Sequence, residues 1–248
     1  VKDRISATEV VTAPRLCLPP GTDFRVEWID FKRGIRIGNL EPHERITRIL
    51  KAALETGFGE TFVTARWGRG VYWQWIALFP QANRLAKPIS SHVNFGCAKF
   101  FISLEREDSS RFKAGMQVER GYLRPPREYP ECKLRDDWDW HRLLDQLKPK
   151  RELERLLTRL VHHDGFRLFA GSWAKAREFS DRDFKGAAQL RRILTAAPAN
   201  DWCGFQLFYP FSEQEVHSMS GGELIESVLA IFSEVTPVMN CCLQIELA

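Results

Sequence analysis

No apolar run in this sequence approaches the roughly 20 residues that a membrane span needs, and no two cysteines stand in C-x-x-C spacing. The first absence argues against a transmembrane helix. The second, across the irregularly placed Cys17, Cys97, Cys132, Cys203, Cys241 and Cys242, leaves no zinc ribbon and no disulfide framework to read. Cys97 and Cys203 stand within apolar stretches, as small buried thiols do. The opening VKDRISATEVV lacks the apolar core of a secretory signal. A reducing cytoplasm is the expected location.

A dominant charge is also missing. The 36 basic and 32 acidic residues leave a formal charge of +4, too small by itself to argue for a nucleic-acid partner. Neither G-x-x-x-x-G-K-[ST] nor G-x-G-x-x-G occurs, which excludes the common phosphate loops. "HERIT" (43–47) begins like a zinc-protease helix but carries Thr47 where the second histidine belongs. Ser172 lacks the following glycine of a G-x-S-x-G elbow, and Ser220 lacks the preceding one. No cofactor is expected, and the failure of these templates points away from catalysis.

What the sequence does have is tryptophan, eight residues of it, and short elements of two periods. FRVEWIDFK (24–32) alternates like a strand. EPHERITRILKAALE (41–55) reads as a helix with Ile46, Ile49, Leu50 and Ala53 on one face and Gly57 as its cap. ETFVTARW and GVYWQWIALF flank Gly68-Arg69, which reads as a type II′ hairpin loop. CAKFFISLE (97–105) and RFKAGMQVER (111–120) are two further strands; in the second, Phe112, Ala114, Met116 and Val118 face one way. Amphipathic helices follow over 136–147 and 150–161. Strands over 165–173 and 203–211 then bracket a helix near 186–197, and a last helix lies near 222–235.

This order predicts an α+β fold: a largely antiparallel twisted sheet with helices packed on one side, with two similar α+β halves as an option. Residues 1–22 read as an N-terminal arm and 23–248 as one domain. A sub-boundary is expected near 124–135, where prolines cluster.

Two constellations carry candidate chemistry. Arg66, Trp67, Arg69 and Trp73 interleave on the hairpin, and Arg120 and Arg124 close the strand that begins at 111. Guanidinium groups beside indoles can hold phosphates and stack bases, or simply pack as a sheet face. Arg120 falls on the apolar side of its strand, so it must find an acid, a carbonyl or an anion. The second constellation is Glu27, Asp30 and Lys32. If all three lie on one strand, Asp30 and Lys32 share a face, as in metal-dependent nucleases.

Two segments resemble the domain of unknown function 2461 family of bacterial and fungal proteins. They are KPISSHVNFGCAKFFISLEREDSSRFKAGMQVERGYLRP (87–125) and GFQLFYPFSEQEVHSMSGGELIESVLAIFSEVTPVMN (204–240). The resemblance implies an α+β fold and brings no activity. The expectation is therefore a non-catalytic binding module. Its partner would be an anionic small molecule, a nucleic acid or an acidic protein, with a metal-dependent hydrolase or nuclease as the alternative.

Overall fold

The strict alternation of 111–120 becomes the centre of the sheet. The computed structural model describes residues 14–86, 96–105, 110–125, 127–128, 130, 138–172 and 174–248. Its strands are β1 (Ile29–Asp30), β2 (Gly34–Arg36), β3 (Phe62–Arg69), β4 (Tyr72–Pro80), β5 (Lys99–Glu105), β6 (Arg111–Arg120), β7 (Arg167–Ser172), β8 (Arg177–Phe179) and β9 (Cys203–Ser212). They form one open sheet in the order β1-β2-β4-β5-β6-β9-β7-β8, with β3 on β4. All the pairings are antiparallel. Because β3 runs along the whole of β4 on one side, β5 and β2 share the other side, end to end. The two suggested halves are thus parts of one sheet, joined where β9 lies between β6 and β7.

The helices are α1 (Ile46–Phe58), α2 (Gln81–Leu85), α3 (Asp139–Gln146), α4 (Glu152–His162), α5 (Ala187–Thr195), α6 (Glu213–Ser218) and α7 (Gly221–Asn240). The expected inward residues Ile46, Ile49, Leu50 and Ala53 of α1 are buried. They join one core with Phe112, Ala114, Met116 and Val118 of β6 and with the apolar stripe of α7. Phe232 of α7 stacks on Phe100 of β5 at 4.8 Å, and Phe58 of α1 stacks on the same ring at 6.2 Å. The α+β expectation, with helices on one face of an antiparallel sheet, therefore holds. Among the described residues no helix is long and apolar enough to cross a membrane.

Serine at the start of both α6 and α7 builds a capping box. Ser212 accepts from the Glu215 N–H while Glu215 reaches back to Ser212, and Ser220 pairs with Glu223 in the same way. These reciprocal bonds satisfy N–H groups that a helix start otherwise leaves bare. They also hold both carboxyls below their usual range.

Several local expectations are corrected. Residues 24–32 are not one strand: Val26–Trp28 form a 3₁₀ turn, and β1 is only Ile29–Asp30. Asp30 ends the strand, because its carboxylate accepts from the N–H groups of Lys32 and Arg33 at 2.9 Å each. Such a side-chain bond gives the backbone a turn in place of a ladder. The cap of α1 is Gly59, in the left-handed region at φ 65°, and not Gly57. Gly57 has a packing role instead, since a Cβ there would lie 2.4 Å from Leu16. The described part of the arm is accordingly anchored, with Leu16 buried in the main core. The proposed sub-boundary falls largely outside the described residues.

Candidate functional site

Two glycines two residues apart compete for the hairpin loop between β3 and β4. The loop is Gly70-Val71: Arg69 pairs with Tyr72, and Gly70 takes φ 59°. Gly68 does something else. Trp67 pairs with Trp75 but Gly68 pairs with Trp73, so Gln74 is an extra residue in β4. A bulge of this kind turns the strand and re-aims the side chains beyond it. Trp75 faces the side of the sheet that carries no helix among the described residues, the helix-free face, where it packs near Phe101 and Phe208. Beyond the bulge Trp73 packs on the main core and lies under the Arg66 guanidinium, 3.8 Å from its ring centre.

The bulge needs glycine. A Cβ on Gly68 would stand 2.4 Å from Trp73 Cα and 2.5 Å from the Tyr72 carbonyl oxygen. We expect Gly68→Ala to cost about 1–3 kcal/mol, as overpacking does, and to shift tryptophan fluorescence as Trp73 leaves Arg66. Unchanged emission and an unchanged denaturation midpoint would contradict this role.

Beneath this stack lies a groove of about 350 Å³ between α1 and β3, lined by Arg45, Arg48, Lys51, Arg66, Trp73 and Gln81 among others. Its cations are poorly neutralised from within. Lys51 meets Glu55 at 3.5 Å, and Arg45 Nε donates to the Leu40 carbonyl at 2.5 Å. Arg48 and Arg66 have no acidic partner among the described residues. Helix α1 also has no acid in its first turn, and Arg45 provides no side-chain cap. The positive end of the helix dipole therefore adds to the cations.

The six residues read from the sequence do not form one site. Arg66 and Trp73 lie in the groove. Trp67, 68% exposed, shares the face of Trp75, opposite Arg66. Arg69 ends β3 at the exposed hairpin tip. Arg120 is 3% exposed and spans to the turn after α5. It donates to the carbonyls of Ala197 at 3.3 Å, Asp201 at 2.7 Å and Pro198. Burial pulls its pKa below the usual guanidinium value. The question of what Arg120 holds is thus answered by carbonyl groups. Arg124 is exposed, and its N–H donates to the Ala199 carbonyl at 3.0 Å. Arg45, Arg48 and Lys51 were missed because they belong to the polar side of an amphipathic helix, which carries no sign of what it faces.

The strand arrangement behind the nuclease alternative is also corrected. Glu27 lies in the 3₁₀ turn, Asp30 is turned onto backbone N–H groups, and Lys32 is exposed in the turn that follows. No cation-holding cluster forms from these three. At the surface, ligand atoms of Asp23, His43 and Glu44 do lie within 4.8 Å of one another, a spacing that could hold a cation. Glu44 already accepts from the Glu41 N–H at 2.8 Å, and Asp23 pairs with Arg25 at 3.5 Å.

The helix-free face of the sheet carries a lattice of ion pairs. Glu178 of β8 bonds Arg111 at 2.9 Å and Arg167 at 2.7 Å, while Glu105 bonds Arg111 at 2.5 Å and Lys113 at 3.0 Å. Burial works against the Glu178 charge, but hydrogen bonds from Arg111 and Arg167 outweigh it and hold its carboxyl below the usual value of 4.5. A depressed folded-state pKa means that the unfolded chain binds the proton first. Its contribution is then present above the unfolded value and is lost as pH falls through the folded one. Denaturation midpoints followed downward from about pH 5 should fall more steeply for the native chain than for Glu178→Gln; parallel curves would refute this.

Comparison with family models, with curated proteins and with solved structures gives no match. The chemistry of the groove is accordingly read from its own residues.

Proposed function

We propose that this chain is a non-catalytic binding module that holds an anionic ligand in the groove between α1 and β3. The observation that supports this most directly is the pair Arg48 and Arg66, two guanidinium groups without acidic partners among the described residues, beside Arg45 and Lys51. Arg66 also lies over the Trp73 ring, 3.8 Å from its centre, a contact that restrains its fork before a ligand arrives. A fork held in this way matches carboxylate or phosphate oxygens two at a time. The groove is of the size that small ligands occupy. A phosphorylated metabolite is the ligand class that fits best.

Thermal unfolding with inorganic phosphate, a sugar phosphate, ATP and a short single-stranded oligonucleotide tests this. Stabilisation by at least one phosphorylated small molecule is expected. No shift with any of them would count against the reading.

A second reading, single-stranded nucleic acid, draws on a further stacked pair at the same end of the sheet. Arg33 lies 4.1 Å from the Tyr72 ring centre. In that case the oligonucleotide alone would stabilise the chain, and its affinity would fall steeply with salt.

A further inference from the structure

Three glycines near the centre of the sheet invite the same question: why is there no side chain? Gly115 of β6 is answered by the fold, because a Cβ there would meet the Leu207 carbonyl oxygen at 2.0 Å. Gly171 of β7 is answered too, with φ 140° and Ala176 Cα at 2.7 Å. Gly204 of β9 is different. It has no unusual φ, and a Cβ there would meet nothing within 4 Å. Glycine inside a strand costs stability and often marks a close approach by a ligand. Here it sits between two neighbouring strands, opposite Gly171 and Glu119.

Above Gly204 lies a hollow of about 300 Å³ on the helix-free face. Two of its polar linings are deeply buried and incompletely bonded. Gln117 is 3% exposed, and its carbonyl oxygen accepts from Trp75 and from the Gln206 amide, both at 3.1 Å. The Gln117 NH₂ and the Gln206 carbonyl oxygen are left without a partner among the described residues. Lys113 is 5% exposed. Its polar partner is Glu105 at 3.0 Å, and Phe208 lies 4.4 Å beneath its ammonium.

Each charged side chain lining the hollow has a partner of opposite sign among the described residues. Lys113 is bonded to Glu105, which Arg111 also shares, and Glu119 is bonded to the buried Lys99 at 2.8 Å. What remains among the described residues is an amide donor beside an amide acceptor, spare hydrogens on the Lys113 ammonium, and the ring of Phe169 at the wall. A sugar offers the complement: hydroxyl groups that both donate and accept, and an apolar C–H face for an aromatic ring.

We propose that the hollow over Gly204 is a binding site for a small uncharged saccharide, separate from the basic groove. Saturation-transfer NMR of the full chain with glucose, galactose, mannose, N-acetylglucosamine and maltose tests it, with glycine and glutamate as zwitterionic probes. Transfer to at least one sugar is expected. It should be lost in Gly204→Leu, which fills the hollow from a backbone that accepts a side chain, and in Lys113→Met, which leaves Glu105 paired with Arg111. Arg66→Ala should keep the signal, because it alters the other site. The Gly204→Leu melting temperature should match or exceed that of the native chain. Should that variant not fold, Gly204→Ser and Lys113→Met carry the comparison. Transfer to no sugar, transfer only to the zwitterions, or sugar transfer that survives in the variants would overturn the proposal.

Discussion

Replacing Arg120 by leucine is expected to destabilise the fold by about 3 kcal/mol, since the bonds lost come from a charged donor inside the protein. Arg120 is where the end of β6 meets the turn that follows α5. Its guanidinium serves three carbonyls within Ala197–Asp201, a stretch that also leads into β9. Leucine fills comparable space but leaves all three acceptors facing an apolar side chain. For a chain of this size, such a loss lowers the melting temperature by roughly 6–12 °C. Arg120→Lys should recover little of it, because one ammonium cannot span a fork's geometry. Leu and Lys variants that both melt with the native chain would show that water replaces the guanidinium freely, and the structural role would fall.

The second large effect concerns the groove. Arg48→Glu is expected to abolish stabilisation by a phosphorylated ligand, and Arg66→Ala to weaken binding by about tenfold or more, each charged contact being worth about 1.5–3 kcal/mol. Arg48 is exposed and has no acidic partner among the described residues, so its reversal should leave the unliganded melting temperature almost unchanged. That separates loss of binding from loss of fold. Arg69→Ala and Arg124→Ala serve as matched controls, since both lie outside the groove and should bind as the native chain does. Equal losses from these controls and from the groove variants would mean that only net charge matters.

The contrast between Arg66 and Arg120 explains how much could be read in advance. Their sequence surroundings are alike: each is an arginine near the end of a strand, followed closely by glycine. Alternation places Arg120 on the apolar side correctly, yet the carbonyls it meets lie about eighty residues further on, as the spacing of 77 to 81 records. No local pattern announces them. Helix α1 was legible for the same reason that its function was not. Its period of apolar residues marks the buried face and is silent about the polar one, where Arg45 and Arg48 meet Arg66.

The failed strand at 24–32 has another origin. Its aromatic and β-branched residues fit a pleated surface, but Val26–Trp28 form a turn and Asp30, bonding the backbone that follows it, ends the short strand that remains. At the hairpin the composition allowed either glycine to form the loop. Only pairing with β4 shows that Gly68 is taken by a bulge and Gly70 by the turn. The α+β architecture survives these errors because it depends on the long elements, β5, β6, β9 and α7, whose periods are unambiguous.

The most direct test of the binding reading is an NMR titration of arginine side-chain Nε–H signals with inorganic phosphate. The account predicts saturable shifts for Arg48 and Arg66, assigned by their loss in lysine variants, while the Arg120 signal stays still. Signals of Arg48 and Arg66 that drift linearly with added salt, together with those of Arg69 and Arg124, would contradict it.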